Sequence, residues 1–356
     1  MLFDNAWVYF FCKNLFKNMR IFFFLLFNIS IDANILDRED VKLFIETQSA
    51  TTELTKEEIE NFLSKAEIVN RVIELRSNQP ESTFSWNRYR NIFLKSSKLK
   101  AGINFLLENE NLLNRVENEY GVSKFYIASI IGAETSFGKN FGTFNPLDTI
   151  STLAFEVGSN FWKKELINLL QLSKRYGMDP KNIKSSWAGA IGIGQFIPSS
   201  YNSYGVDYDG DSKVDLVNSR EDGIASVANY LKVHGWDPNE EVVQELSINK
   251  KYSAFNDEKI QAIGTDFKLN NFRTKVSSSD LIESGLVEEA NYSGEAIPLV
   301  VFQGQNTKIY IGFDNFRVIT KYNQSSYYAL VRHQLAVELN KKYEKNSEFF
   351  IYLHFL

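Results

Sequence analysis

The chain has 356 residues, and its 39 basic and 44 acidic side chains give a net charge of −5 at pH 7 with histidine neutral. A composition of 44% hydrophobic and 23% charged residues excludes a disordered chain. A mildly acidic protein lacks the excess of basic side chains that binds a phosphate backbone, so no nucleic-acid partner is expected. The single cysteine, Cys12, excludes an intramolecular disulfide framework and any multi-thiolate metal site.

The first 33 residues are interpreted as an export signal or a membrane anchor. Met19 and Arg20 precede an apolar run that ends near the small residue Ala33, which makes Met19 the expected true start. The run is shorter than the roughly 20 apolar residues of a membrane span. Export without disulfides fits a bacterial periplasm. We therefore expect a periplasmic monomer, with peripheral association to a membrane or to cell-wall machinery left open.

The segments that follow are mostly helical. Residues 36–50 are interpreted as a short variable segment, and a capping box at Thr55 and Glu58 then begins a helix. Apolar residues at helical spacing predict a further helical stretch over Ile103–Tyr120, which stops at Gly121. Ser123 is the expected N-cap of an apolar helix that runs to Glu134.

Toward the carboxyl end the apolar pattern changes. Further helices are predicted around Leu166–Leu170 and over Asp222–Val233. Three short strand-like runs come next, bounded by Gly, Asn and Asp: Leu299–Phe302, Lys308–Ile311 and Arg317–Thr320. A last helix over about Ser326–Lys341 closes the fold. The pattern predicts an α+β protein that is mainly helical, with a small late β-sheet.

Glu134 is the most informative residue. It lies in the segment Ile130–Gly138, at the end of a helix whose preceding residues carry no charge beyond Lys124. A carboxyl in apolar surroundings favours its neutral form, so its pKa is expected to rise. A general acid that protonates a glycosidic oxygen near neutral pH needs this property. The pattern alone also fits a helix-end glutamate that is solvated or paired with Lys139.

A glycine-spaced segment follows at Trp187–Ser200 and delivers Gln195 and Phe196, one hydrogen-bonding and one stacking side chain. Spaced glycines leave room for a ligand or for a closely packed helix. Together with Glu134 and two later motifs, Ser226–Tyr230 and Ile319–Ala329, the segment resembles the lytic murein transglycosylase B family. These are lysozyme-like enzymes that cut peptidoglycan glycan strands, and the resemblance runs from about Phe84 to Leu339.

The resemblance implies roles for particular residues. Glu134 falls on the family's catalytic acid/base position, and Ile193 stands where the family often has a polar or aromatic residue. The implied partner is the glycan strand. The implied substrate-cleft residues are Ser186, Gln195, Phe196, Tyr230, Tyr322, Asn323 and Tyr328.

The resemblance also implies a domain organisation and a reaction. After residues 1–33 come an N-terminal helical domain (34–120), a lysozyme-like catalytic core (121–240), a β-containing region with a closing helix that completes the cleft (241–345) and an apolar tail (346–356). The implied reaction cleaves the β-1,4 bond between N-acetylmuramic acid and N-acetylglucosamine and forms a 1,6-anhydromuramic end. Glu134 first protonates the bridging oxygen and then deprotonates the muramic 6-hydroxyl.

Most glycosidases use two carboxylates, and the nearest second candidates here are Asp148 and Glu156. Neither lies in an apolar setting like that of Glu134. Two alternatives stay open at this point: a muramidase that hydrolyses the same bond with water, and a noncatalytic glycan-binding module. No cofactor is needed for the proton chemistry.

An acidic loop spans residues 207–222. Alternating carboxylates in a turning loop direct their oxygens toward a hard cation, as in an EF-hand, although the match is partial because Gly210 precedes the usual sixth position. In the family that this sequence resembles, the last carboxylate ligand of the loop comes from the start of the next helix. We expect a structural Ca²⁺, and a solvated acidic turn is the alternative. The expected ligands are Asp207, Asp209, Asp211, the Lys213 carbonyl, Asp215 and Asp222.

Overall fold

The computed structural model describes residues 34–76, 83–260, 262 and 268–354. The export signal or anchor predicted over residues 1–33 lies outside these residues. The chain divides after Ala66 into two compact units. Within the described ranges, no helix combines the length and the apolar character that a membrane crossing requires.

Among the described residues, the first unit contains two α-helices, which follow a short 3-10 helix over Ile35–Asp37. The predicted capping box is formed, since the Glu58 N–H donates to Thr55 Oγ1 and the Thr55 N–H donates to the Glu58 carboxylate. Residues 36–50, interpreted as a short variable segment, lie largely within a helix, where Val41, Phe44 and Ile45 form a buried stripe. The bounds of the two helices are Glu39–Thr51 (α1) and Lys56–Leu63 (α2).

The second unit contains most of the helices. In the part of the chain that the structure describes, the helices before the sheet are Asn70–Arg76 (α3), Trp86–Phe93 (α4), Ser96–Glu108 (α5), Glu110–Tyr120 (α6), Lys124–Thr135 (α7), Pro146–Phe155 (α8), Asn160–Tyr176 (α9), Pro198–Tyr204 (α10) and Arg220–Val233 (α11). The stretch predicted over Ile103–Tyr120 is two helices. The break falls at Asn109, whose buried side-chain amide donates to the Phe105 carbonyl.

Helix α7 lies at the centre of the second unit. It is apolar on all sides, and Ile127, Ala128, Ile130 and Ile131 are fully buried. A helix with this pattern needs neighbours on every side. The packed neighbours are α5, α6, α11 and the last helix of the chain.

A small antiparallel sheet follows, with the strand order β1-β4-β3-β2. Its central hairpin pairs Gln303 with Asn306, and Gly304 takes the positive φ of the first turn position. One face covers a core that includes Leu286, Val300 and Ile309. Among the described residues, the strands and the α-helix that follows β2 are Val243–Leu246 (β1), Val276–Ser277 (β2), Ser278–Glu283 (α12), Glu295–Gln303 (β3) and Asn306–Gly312 (β4).

Two helices close the chain, Asp314–Tyr322 (α13) and Ser326–His354 (α14). The strand predicted over Arg317–Thr320 was therefore wrong. Phe316 and Ile319 are buried at helical spacing, while the basic residues at 317 and 321 lie one turn apart. A short β-branched run resembles a strand until this longer period is taken into account. The predicted α+β class, mainly helical with a small sheet, is confirmed.

Candidate active site

Glu134 lies in the last turn of α7 and is half-buried. The chain reverses directly after the helix, because Ser136, Phe137 and Gly138 all have positive φ values (53°, 64° and 75°). This turn places the Phe137 ring against the helix at Gly132, where an added Cβ would lie 2.4 Å from the ring. Glycine at position 132 therefore leaves room for the Phe137 ring against the helix.

Thr135 fastens the end of α7 to the glycine-spaced segment. Its hydroxyl is within hydrogen-bond distance of the carbonyls of Ile131 (3.1 Å) and Ile193 (3.0 Å), and it accepts a hydrogen bond from the Gly138 N–H. The side chain is fully buried. The motif analysis missed Thr135, since a threonine beside a glutamate gives no pattern that predicts a contact 58 residues away.

The glycine-spaced segment forms a tight backbone turn. Ile191 and Phe196 exchange two backbone hydrogen bonds of 2.9 Å each. Gly192 has φ 76°, and a Cβ there would lie 2.2 Å from the Leu216 carbonyl oxygen, so this approach requires glycine. Ile193 is buried and fills the space beside Gly138. The turn thereby fixes the Phe196 ring.

Phe196, Tyr230 and Tyr322 form an aromatic cluster. The Phe196 ring lies edge-on to Tyr230 and Tyr322, with centroids 5.9 and 5.8 Å away, and the two tyrosine rings are 4.8 Å apart. The Tyr322 hydroxyl donates to the Gly194 carbonyl (2.5 Å), and that of Tyr230 donates to the Lys321 carbonyl (2.7 Å). Burial, followed by the charge of Glu134, raises the pKa of Tyr322.

Tyr328 contacts Glu134 directly. Its hydroxyl donates to Glu134 Oε1 over 2.6 Å, and the side chain is 3% exposed. Burial first, and the Glu134 charge second, hold the pKa of Tyr328 well above its usual range. Tyr328 is therefore a hydrogen-bond donor to the carboxylate throughout the neutral pH range.

Arg332 lies one helical turn after Tyr328 and is fully buried. Its guanidinium carbon is 4.7 Å from the Tyr328 ring centroid and 4.0 Å from that of Phe93. None of its three guanidinium nitrogens has a hydrogen-bond partner among the described residues. Motif reasoning missed this cation, and the only available signal was an arginine within an apolar helical stripe.

The remaining predicted cleft residues have local partners. Ser186 Oγ accepts hydrogen bonds from the N–H groups of Ala188 and Ala190, and the Gln195 side-chain amide donates to the Gly192 carbonyl. Asn323 is exposed directly after α13. The structure thus brings Glu134, Tyr328 and the aromatic cluster together, whereas Ser186 and Gln195 shape the turn beside them.

Other carboxylates have structural partners. Asp148 is buried and binds Lys181 at 3.0 Å, and it accepts a hydrogen bond from the Glu67 N–H. Glu156 is exposed at the end of α8. Glu165, which the sequence analysis did not single out, is buried and accepts from the Ser199 N–H at 2.9 Å, and burial raises its pKa. Each of Asp148 and Glu165 thereby supports the fold near the site.

The acidic loop brings three of the six expected ligands together. Oxygens of Asp207, Asp209 and Asp211 lie within 4.8 Å of one another, a donor set that suits a hard cation. Asp222 is fully buried and accepts from the backbone N–H groups of Tyr208, Asp209 and Asp215.

All five aspartates of the loop accept backbone hydrogen bonds. The Asp215 carboxylate accepts from the N–H groups of Val217 and Asn218. Asp207, Asp209 and Asp211 likewise accept from N–H groups within the loop. The full ligand set, which includes the Lys213 carbonyl, stays a prediction.

The comparisons with known proteins agree with these observations. The sequence matches the transglycosylase SLT domain family over residues 37–337. It is 34% identical over 293 residues to the membrane-bound lytic murein transglycosylase B of Escherichia coli strain K12, an alignment that covers 79% of this chain and 77% of that protein. The chain therefore belongs to the transglycosylase SLT domain family, and it is a lytic transglycosylase, as the motifs predicted.

Two solved structures extend the comparison. The Escherichia coli lytic transglycosylase Slt35 in complex with calcium has a TM-score of 0.73 and 31% identity, with 86% of this chain and 94% of that chain covered. The Pseudomonas aeruginosa protein SltB3 in complex with NAG-anhNAM-pentapeptide has a TM-score of 0.70 and 26% identity, with 84% and 78% covered. The predicted lysozyme-like fold is confirmed.

Proposed function

We propose that this enzyme cleaves the β-1,4 bond between N-acetylmuramic acid and N-acetylglucosamine, and that Glu134 carries both proton transfers. The observation that carries this proposal is the 2.6 Å hydrogen bond from Tyr328 to a half-buried carboxylate beside the aromatic cluster. The ligand named in the SltB3 complex supports a glycan with an anhydro end.

In the first step the protonated Glu134 donates its proton to the bridging oxygen, and the glycosidic bond breaks as that oxygen leaves. Tyr328 donates to Oε1 and keeps the carboxyl group in one orientation as its protonation state changes. In the second step the Glu134 carboxylate takes the proton from the muramic 6-hydroxyl, whose oxygen bonds to the anomeric carbon of the same sugar. An intramolecular nucleophile has a high effective concentration, so it competes successfully with water.

The proposed cleft needs contributions from two parts of the chain. We propose that residues 121–240 form the catalytic core and that residues 241–345 complete the cleft. Tyr322 and Tyr328 from the second part reach Gly194 and Glu134 of the first part. Phe196 and Tyr230 are proposed to hold the sugar ring, and Asn323, Ser186 and Gln195 to orient its polar groups.

A calcium ion is proposed for the acidic loop. Asp207, Asp209 and Asp211 supply oxygens that are close enough to share one cation, and Slt35 is described in complex with calcium. Bound there, Ca²⁺ would neutralise the repulsion among the three carboxylates and stabilise the loop that precedes α11. The proton chemistry at Glu134 does not require it.

The location of the enzyme is proposed as the periplasm, in association with a membrane. The support is the pattern of residues 1–33 together with the name of the Escherichia coli relative, which is a membrane-bound enzyme. Fractionation of cells that express the full chain tests this location. Recovery of the protein solely in the cytoplasmic fraction would contradict it.

Replacement of the acid tests the catalytic assignment. We expect Glu134→Gln to abolish release of soluble fragments from purified sacculi, because an amide cannot donate and then accept the proton. The variant should keep the melting temperature of the wild type within a few degrees. Glu156→Gln, a matched change at an exposed glutamate, should retain activity. Wild-type cleavage by Glu134→Gln would overturn the assignment.

A further inference from the structure

A cavity of about 360 Å³ is lined by residues that flank Tyr322 in the chain. Four of its lining side chains are cationic, namely Arg273, Lys275, Arg317 and Lys321, and none of the described residues that line it is acidic. The volume lies within the range of ligand-binding cavities. A concentration of positive charge is unexpected in a chain with a net charge of −5.

The cations come from two separate elements and face one space. Arg317 and Lys321 lie one turn apart on α13, and neither makes an ion pair with a described residue. Arg273 belongs to the loop before β2 and donates to Gln324 Oε1 over 3.2 Å. Lys275, on the same loop, pairs with Asp314. The loop and the helix therefore form opposing basic walls.

The cavity is connected to the proposed cleft through shared backbone. The Lys321 carbonyl accepts a hydrogen bond from the Tyr230 hydroxyl. The chain continues from Lys321 through Tyr322 to Tyr328. The helix turn that presents two cations to the cavity therefore also holds the aromatic cluster. A ligand in the cavity would therefore contact the helix turn whose backbone also holds Tyr230.

We propose that this cavity binds the carboxylates of the peptide that substitutes the muramic lactyl group. The proposal rests on the function proposed above and deepens it by naming the charged part of the substrate. The N-acetylated sugars of the strand are neutral, so the anionic groups available near the cleft belong to the peptide. Guanidinium groups bind carboxylates through paired hydrogen bonds, and lysines add unspecific positive charge.

A purely structural reason accounts for only part of this cluster. A cation in the last turn of a helix offsets the helix dipole, and this explains Lys321 on α13. The ion pair with Asp314 explains Lys275. Neither reason explains Arg273 and Arg317, which line the same cavity from the loop and from the helix. Recognition of an anionic ligand accounts for these two arginines as well.

The experiment compares two substrates: soluble glycan strands that carry stem peptides, and the same strands after an amidase has removed the peptides and the lactyl carboxylates that this frees have been converted to neutral amides. The test variants are Arg317→Gln/Lys321→Gln and, on the loop, Arg273→Gln. The matched control is Lys341→Gln/Lys342→Gln, which removes two exposed charges outside the cavity. The quantity measured is the ratio of kcat/KM for the two substrates.

We expect the ratio to fall roughly five- to tenfold in the double variant, through a higher KM for peptide-bearing strands, and to fall less in Arg273→Gln. The control should keep the wild-type ratio, and added salt should weaken the wild-type preference. Equal losses on both substrates, or an unchanged ratio in both test variants, would overturn the proposal. A melting curve identifies a variant that fails to fold, in which case Arg273→Gln decides.

A direct binding measurement separates this proposal from the proposed function. Calorimetry with free stem peptide and with its methyl ester needs no catalysis. We expect the wild type to bind the peptide more tightly than the ester, and Arg317→Gln/Lys321→Gln to lose that preference. Absence of anhydro products from the wild type would contradict the proposed function alone. Equal binding of peptide and ester would contradict the cavity proposal alone.

Discussion

Glu134 and Tyr328 are 194 residues apart in the chain and form one hydrogen-bonded pair. The tyrosine is buried and neutral, so it always donates, and the carboxylate is better stabilised with this donor than without it. The guanidinium carbon of the fully buried Arg332 lies 4.7 Å from the centroid of the Tyr328 ring. The proposed acid therefore depends on a neutral donor supported by a buried cation.

The substitution Tyr328→Phe removes only the hydroxyl group that donates to Glu134 and so tests its contribution. We expect kcat to fall roughly tenfold to a hundredfold, because the carboxyl group loses its fixed orientation. The carboxylate also loses a donor, so the alkaline limb of the pH–rate profile should move to higher pH. The stability cost should be about 1–3 kcal/mol. Steady-state kinetics across the pH range and denaturant unfolding measure these effects.

The neighbouring residue provides the control. Tyr327 is half-buried and contacts the Trp86 ring, with centroids 5.2 Å apart. Tyr327→Phe removes an equivalent hydroxyl away from Glu134 and should leave the pH–rate profile unchanged. A Tyr328→Phe enzyme whose alkaline limb stays in place would show that the hydroxyl has only a packing role.

Sequence motifs predicted the aromatic residues of the site better than its supporting polar groups. Phe196, Tyr230 and Tyr322 fall within recognisable motifs, and the structure places their rings in contact. Thr135 and Arg332 act through tertiary contacts, and no local period or spacing encodes which carbonyl or ring they meet. The Glu134 pKa expected from apolar surroundings stays a prediction.

At the scale of elements, a hydrogen-bonded pair of partly buried side chains links α7 and α14. The Tyr126 hydroxyl lies 2.7 Å from His333 Nδ1. Burial lowers the pKa of His333 from 6.5 to about 4, so the folded protein keeps this histidine neutral. Burial also raises the pKa of Tyr126, so its hydroxyl donates and the imidazole accepts.

This pair predicts a loss of stability in mild acid. As the pH falls from 6.5 toward 4, the unfolded chain binds a proton at His333 that the folded protein does not. The free energy of unfolding should therefore drop by about 2 kcal/mol between pH 7.5 and pH 5 from this residue alone. His333→Gln keeps an acceptor for Tyr126 and should lose that share of the dependence. Parallel pH dependences in urea unfolding would contradict the prediction.

The acidic loop predicts an effect of calcium on stability. At a concentration about 100 times its dissociation constant, a bound ion adds about 2.7 kcal/mol to the free energy of unfolding. We expect calcium to raise the melting temperature by several degrees, and Asp209→Asn/Asp211→Asn to abolish the rise. Calorimetric melting curves with calcium and with a chelator measure this shift.

The matched control removes two carboxylates elsewhere. Glu288→Gln/Glu289→Gln neutralises two adjacent exposed residues and should keep the calcium response of the wild type. Identical wild-type melting curves with and without calcium would remove the metal from the account. A large fall in turnover at low temperature on chelation would contradict its purely structural role.

Element boundaries were predictable where local chemistry marks them. The capping box at Thr55 and the N-cap at Ser123 begin their helices as expected, and Gly121 ends α6. The break at Asn109 was not predictable, because the apolar period continues across it. Residues 317–320 were predicted as a strand although they are helical. Three β-branched residues dominate this short window of the helix and hide its longer period.

At the scale of the whole molecule, the sequence motifs predicted the class of protein. The family match and the solved relatives agree with that prediction. Composition alone excluded a disordered chain and a disulfide-rich protein, but it did not identify the class of enzyme. The separation of the chain after Ala66 was not anticipated, because no linker composition marks that position. Contacts between distant segments decide such divisions.

The central claim is that one carboxyl group performs both proton transfers and that the substrate supplies its own nucleophile. Mass spectrometry of the fragments that the wild type releases from purified sacculi tests it most directly. We predict muropeptides with 1,6-anhydromuramic ends, lighter than reducing ends by one water. A product mixture made up of reducing ends would instead establish a muramidase that uses water as the nucleophile.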